Sequence, residues 1–145
     1  RALAAALLLP AFAIALPVAL LVCAASPGPL LYRQPREGKD GIPFRMYKLR
    51  TMAVDADARL ARHLAEDERA RREWERYGRL ARDPRIAGPV ARFARRFSID
   101  ELPQLLHVVG GDMALVGPRP LPLDVVTALS PADRRRRRSV LPGLT

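Results

Sequence analysis

Asp100 and Glu101 are adjacent carboxylates at the head of an apolar segment, with Arg92, Arg95 and Arg96 just before them. Two kinds of chemistry fit that arrangement. Ser98 with Glu101 three residues on matches a capping box, which makes the glutamate a structural group satisfying backbone N–H groups. Alternatively the helix starts with Asp100 as its cap, which places Pro103 in the first turn, where a missing N–H costs little. Asp100 then lies at the mouth of the helix dipole among arginines, which favour its ionised form. An ionised carboxylate there can attack phosphorus. From the residue types alone both readings stand.

A second group of residues is suited to anions. Lys48-Leu49-Arg50-Thr51-Met52 closes an apolar run, and Arg119 is fixed between Pro118 and Pro120. A guanidinium offers a planar fork for phosphate oxygens, and a proline-stiffened backbone loses less entropy in presenting it. His63 and His107 have no ligand spacing to each other or to the single cysteine, Cys23, so a multi-cysteine metal site and an intrachain disulfide are excluded.

The elements that must position these groups are legible in outline. Ala2 to Tyr32 contains no charged residue, longer than the ~20 residues a helix needs to cross a bilayer. Pro10 and Pro17 interrupt it, so a kinked or re-entrant helix is expected over residues 1–29. Arg33, Arg36 and Lys39 follow, and positive charge on that flank assigns the rest of the chain, residues 30–145, to the cytoplasmic side. Beyond Tyr32 lie 24 of the 25 basic and all 15 acidic residues, a formal +9 that calls for anionic partners. Membrane lipid phosphate is the simplest of these. The Arg134–Arg138 run has no interleaved aromatic for base stacking, so a lipid-facing or solvated helix is expected there and nucleic acid is not.

Leu30–Gln34 and Phe44–Met52, joined through Gly38-Lys39-Asp40-Gly41, predict a small β-hairpin. Val54 to about Arg82 predicts one largely solvated helix with pairs at Asp67/Arg71, Glu68/Arg72 and Glu75/Arg79. Ser130-Pro131 predicts a cap followed by proline at the first helical position. The fold class is therefore α-rich α+β, with one membrane-embedded helix, a hairpin, amphipathic interfacial helices and a compact catalytic domain.

One combination is more specific than its parts: Ser26-Pro27-Gly28-Pro29, Phe44 to Met52, Asp83-Pro84-Arg85-Ile86, Ser98 to Leu105, Gly111-Asp112-Met113, Val116 to Pro120, and Pro142-Gly143-Leu144-Thr145. In that order the chain resembles the bacterial sugar transferases, small monotopic polyprenyl-phosphate phosphoglycosyl transferases of the inner membrane that initiate exopolysaccharide, capsule or O-antigen assembly. The resemblance implies that Asp100 attacks the β-phosphate of a UDP-sugar and releases UMP, and that polyprenyl (undecaprenyl) phosphate then takes the phosphosugar. It implies that Glu101 is the dyad partner, that both carboxylates hold Mg²⁺, and that Lys48, Arg50, Arg96 and Arg119 serve the phosphates. It further implies a re-entrant α-helix with both ends on the cytoplasmic face, and a domain that is a fragment at both ends. A tethered basic adaptor that binds nucleic acid or acidic protein, and a phosphate-releasing hydrolase using the same carboxylates, are the rival readings.

Overall fold

A computed structural model of the chain describes residues 1–144; Thr145, the last residue of the Pro142–Thr145 motif, lies outside the described residues. The apolar segment forms a single helix, α1 (Ala2–Ala25), which runs through both Pro10 and Pro17. Both prolines lie on its exposed side. By length and composition the helix is able to cross a membrane.

One stripe of α1 is buried along its whole length: Ala4, Ala11, Ala15, Ala19 and Val22. Small side chains at helical spacing let other backbones come close. The lower end packs on Leu105, Val108 and Met113, the middle on Leu49, Ile99 and Leu102, and the upper end on Ala87 and Ala91. The other faces expose Leu9, Phe12, Ile14, Leu16, Leu20 and Leu21.

The hairpin consists of β1 (Leu31–Glu37) and β2 (Pro43–Leu49), antiparallel from the pair Leu31/Leu49 to the pair Glu37/Pro43. Its turn is a short 3₁₀ segment in which Asp40 and Gly41 take φ of 58° and 79°, the left-handed values that Asp-Gly tolerates best.

The expected long helix is two helices, α2 (Ala56–Glu66) and α3 (Glu68–Tyr77). Asp67 divides them, because its carboxylate accepts hydrogen bonds from the N–H groups of Arg69 (2.8 Å) and Ala70 (3.1 Å) and so caps α3. That use removes Asp67 from the expected pair with Arg71. Gly78, left-handed, ends α3 before Arg79 and separates Glu75 from it, so of the three pairs only Glu68–Arg72 closes among the described residues. After α3, Asp83 and Arg85 form a clasp at 2.7 Å, and Ala53 N–H donates to the Arg85 carbonyl while Ala87 N–H donates to that of Thr51. The Asp83–Ile86 motif is thus stitched to the residues that follow β2.

α4 (Gly88–Arg96) leads into the carboxylate segment, and then come α5 (Leu105–Gly110), α6 (Leu123–Thr127) and α7 (Pro131–Arg138). Ser130 caps α7 by accepting the Asp133 N–H at 3.1 Å, as its sequence indicated. The arginine run of α7 is a different matter, since three of its five members are half-buried and bonded to neighbouring segments. Arg138 pairs with the buried Glu37 at 2.6 Å, Arg134 donates to the Thr127 carbonyl, and Arg137 donates to the Arg119 carbonyl. These three arginines fasten α7 to the hairpin, to the end of α6 and to the proline-rich loop, while Arg135 and Arg136 are exposed as expected for a solvated face.

Candidate active site

The segment carrying Asp100 and Glu101 is a 3₁₀ helix, Ile99–Gln104, that passes directly into α5. Both capping schemes are corrected by this geometry. Ser98 occupies the cap position, but in the left-handed conformation (φ 55°) and with no side-chain capping bond, while Asp100 lies inside the first turn. A non-glycine residue held there costs of order 1 kcal/mol, and such strain is concentrated at functional turns. The turn at Ser98 separates α4 from the 3₁₀ helix, leaving Glu101 free to reach across to β2 instead of back to the backbone.

Glu101 accepts from Lys48 Nζ at 2.7 Å and from Arg119 Nη2 at 2.7 Å, both at Oε1. Lys48 and Glu101 are largely covered, whereas the Arg119 side chain is 70% exposed. Burial alone would raise the Glu101 carboxyl, but the Lys48 bond and charge together with Arg119 outweigh it and hold the group below its ordinary value. Asp100 differs. It is buried, and among the described residues it forms no ion pair; desolvation raises its carboxyl above the ordinary value, against the more distant charges of Lys48 and Arg95. Two adjacent carboxylates thus have divided roles: Glu101 is ionised and gathers cations, and Asp100 is left with an uncompensated, more basic oxygen.

The cleft above Glu101 is narrow and includes Arg36, Lys48, Gln104, Arg119 and Leu144. Its far wall depends on close backbone packing. A Cβ on Gly117 would lie 2.6 Å from the Leu141 carbonyl oxygen, so only glycine lets the Pro118–Pro120 loop press against the Pro142–Leu144 segment. A wider cleft of about 360 Å³, lined by Ser26, Val54, Asp55 and Arg59, opens beside the exit of α1 and contains neither carboxylate.

Of the phosphate-binding residues expected from sequence, Lys48 and Arg119 lie at the dyad. Arg50 does not. It is buried, and its guanidinium donates to the carbonyls of Pro29 (2.7 Å), Met52 (3.0 Å) and Ser26, and to Ser26 Oγ (3.1 Å). It caps the end of α1, where the Ser-Pro-Gly-Pro turn leaves carbonyls without helical partners. Arg96 is also displaced: it is exposed, with its guanidinium 5.8 Å from the Phe97 ring, while Arg95 is the α4 arginine whose charge acts on Asp100. Sequence reasoning missed Arg36, which follows a proline in β1 and looks like one flanking basic residue among several.

His107, given no role from sequence, is a structural pin. Its Nε2 accepts the Tyr47 N–H at 3.2 Å, so Nδ1 carries the proton facing Asp112 at 3.1 Å, and the ring stacks on Tyr47. It fixes β2, and with it Lys48, against α5.

Among the described residues no cluster of three or more His, Cys, Asp or Glu is able to hold a metal. Mg²⁺ binds through as few as one or two carboxylates, with its other ligands from substrate phosphates and water, and Asp100 and Glu101 are the two carboxylates expected from sequence to hold it.

The model for the bacterial sugar transferase family matches residues 1–145 of the chain. The undecaprenyl-phosphate galactose phosphotransferase of Salmonella typhimurium is 48% identical over 97 residues, 67% of this chain and 20% of that protein. A putative undecaprenyl-phosphate N-acetylgalactosaminyl 1-phosphate transferase of Bacillus subtilis is 43% identical over 112 residues, covering 74% of the chain and 54% of the relative. The UDP-glucose:undecaprenyl-phosphate glucose-1-phosphate transferase of Caulobacter vibrioides is 42% identical over 146 residues, 98% of the chain and 48% of the relative. The chain spans about half or less of the length of these relatives.

Proposed function

The chain belongs to the bacterial sugar transferase family, and from that membership and the site geometry we propose that it transfers a sugar-1-phosphate from a UDP-sugar to undecaprenyl phosphate at a membrane. The relatives above name galactose, N-acetylgalactosamine and glucose, so the proposal concerns the chemistry they share.

In the first step an Asp100 oxygen attacks the β-phosphorus. The bond from that phosphorus to the bridging oxygen breaks, UMP leaves with the bridging oxygen, and the phosphosugar remains on Asp100 as an acyl phosphate. In the second step a phosphate oxygen of the lipid attacks the same phosphorus, forming the lipid diphosphate sugar and restoring the Asp100 carboxylate. A covalent intermediate divides one difficult transfer into two easier ones. Phosphoryl transfer is accelerated chiefly by placement and by neutralising charge on the phosphate oxygens. Lys48 and Arg119 are suited to that, with Glu101 orienting both. Asp100 and Glu101 would hold Mg²⁺, which when bound supplies further positive charge to the phosphates.

The observation that carries the reading is the division of labour in the dyad, an unpaired buried Asp100 beside a Glu101 that gathers two cations. We further propose that the catalytic face is cytoplasmic, where nucleotide sugars are available, with both ends of α1 on that side.

The experiment is a UMP-release assay on the membrane protein with undecaprenyl phosphate, Mg²⁺ and a panel of UDP-sugars, together with mass analysis of the quenched enzyme. A phosphosugar adduct on Asp100 that disappears on adding lipid phosphate is expected. Phosphate or UMP release indifferent to the lipid would establish the hydrolase reading instead.

A further inference from the structure

Arg36 belongs to β1, and its side chain turns into the cleft that holds Lys48, Glu101 and Arg119. Its hydrogen-bond partners are both neutral. Nη2 donates to the neutral Gln34 amide oxygen at 2.5 Å, Nη1 reaches the Pro120 carbonyl at only 3.4 Å, and Nε is buried without a hydrogen-bond partner. Among the described residues no carboxylate pairs with it, since Glu101 is engaged by Lys48 and Arg119. The cleft therefore gathers three cations around one carboxylate.

The backbone holds this arrangement in place. Arg36 forms an isolated bridge with Pro122, and the Glu37 N–H donates to the Leu121 carbonyl at 3.1 Å. β1 is thereby laced to the loop that presents Arg119, which keeps two guanidinium groups side by side although they repel. Burial and then the Arg119 charge push the Arg36 guanidinium below the ordinary arginine value, outweighing the nearby acidic groups of Tyr32, Asp124 and Glu101. A clamp on the loop does not explain the pairing, because a 3.4 Å contact to one carbonyl is weak. An anion with several oxygens does: it would offset the repulsion and be gripped by two planar forks.

We propose that Arg36 and Arg119 together form a seat for a phosphate group of the substrate, beside the Lys48–Glu101 pair. The identity of that phosphate rests on the proposed transfer reaction, in which both the nucleotide-sugar diphosphate and the lipid phosphate have the required chemistry.

The test uses the full chain in nanodiscs and has two parts. The first is binding of inorganic pyrophosphate by calorimetry, which needs no turnover. Arg36→Gln is expected to weaken it roughly tenfold or more, and Arg36→Lys, which keeps the charge but loses the fork, by less. The second is steady-state kinetics with each substrate varied in turn. A roughly tenfold rise in KM for the UDP-sugar assigns the seat to the donor, and the same rise for undecaprenyl phosphate assigns it to the acceptor; either supports the proposal. Pyrophosphate binding unchanged in a folded Arg36→Gln, or both KM values unchanged, overturns it. If Arg36→Gln fails to fold, Arg36→Lys alone decides: pyrophosphate binding equal to wild type overturns the seat. A wild-type chain that binds pyrophosphate through Arg36 yet transfers no phosphosugar would sink the proposed reaction and leave the anion seat standing.

Discussion

Asp100→Asn preserves the volume of the side chain and removes the nucleophilic oxygen. Because burial disfavours the charged form of Asp100, its folded value lies above the unfolded one, so ionisation at neutral pH opposes folding instead of assisting it. The variant is expected to lose turnover and the covalent adduct while melting at the same temperature as wild type or higher. Near-normal UMP release would remove Asp100 from the nucleophile's role. Arg50 and Arg119 provide a contrasting pair. Arg119→Ala, at an exposed side chain, should raise the nucleotide-sugar KM with little change in melting, whereas Arg50→Met strips the donor from three carbonyls and should cost about 3 kcal/mol of stability. Thermal melts alongside kinetics separate the two, and equal melting losses would show that the two arginines have been misassigned. Sequence made Lys48 and Arg119 recognisable as anion-directed, and it made Arg50 look the same. The difference lies in where the chain exit of α1 returns its carbonyls, which residue type does not encode. Arg36 escaped for the related reason that it is brought to Arg119 by long-range links, the bridge to Pro122 and the Glu37–Leu121 bond, that no local signal encodes.

Elements were readable wherever a local signal decided them. Asp40-Gly41 marked the hairpin turn and Ser130-Pro131 the start of α7, because both depend on backbone preferences within a few residues. The segment from Val54 to Arg82 was misread as one helix because Asp67 looked like a partner for Arg71, while its short carboxylate is better placed to cap a new start. At Ser98 neither expected scheme holds, because the residue takes the cap position in a left-handed turn with no side-chain capping bond. At the Asp83–Arg85 clasp the consequence is measurable. Burial works against ionisation of Asp83, but the Arg85 side chain and amide outweigh it, so its carboxyl is held below the ordinary value, and Arg85 also covers Trp74 at 4.9 Å. A depressed carboxylate contributes stability that is present above its unfolded value and fades as the pH falls through the folded one. Asp83→Asn should therefore cost about 2 kcal/mol near neutrality, with the wild-type and variant stabilities converging below about pH 4. A gap that persists unchanged at acid pH would mean that packing, not charge, holds the clasp.

For the whole molecule the informative fact is that one domain touches α1 from end to end. Arg1 packs its guanidinium against Gly111 at the end of α5, and Arg50 holds Ser26 at the other end. A helix of about 36 Å would cover a ~30 Å hydrocarbon core, so length alone is undecided. Contact favours the proposed re-entrant course, because a crossing would carry α5, packed on Ala4 and Ala11 with His107 and Asp112 in or beside it, toward the far leaflet. A cysteine placed at position 1 in a Cys23→Ala background is expected to react with an impermeant maleimide in inverted vesicles and to be protected in intact cells. Labelling from outside the cell would show that α1 crosses. The sequence led to the expectation of a re-entrant helix, but prolines and hydropathy describe a helix without saying what lies along its side.

In the proposed reaction the alanine stripe of α1 also sets how far the lipid phosphate would have to travel. Helices that meet through small residues approach at the short end of the usual 8–10 Å between axes. Ala15 and Ala19 meet the 3₁₀ helix at Ile99 and Leu102, the residues that bracket Asp100 and Glu101. The carboxylates are consequently held about one helix diameter from a surface of Leu16, Leu20 and Phe12 that suits acyl chains. A polyprenyl acceptor lying along that surface would need to lift only its phosphate to the dyad, and its hydrocarbon tail would stay submerged throughout the reaction.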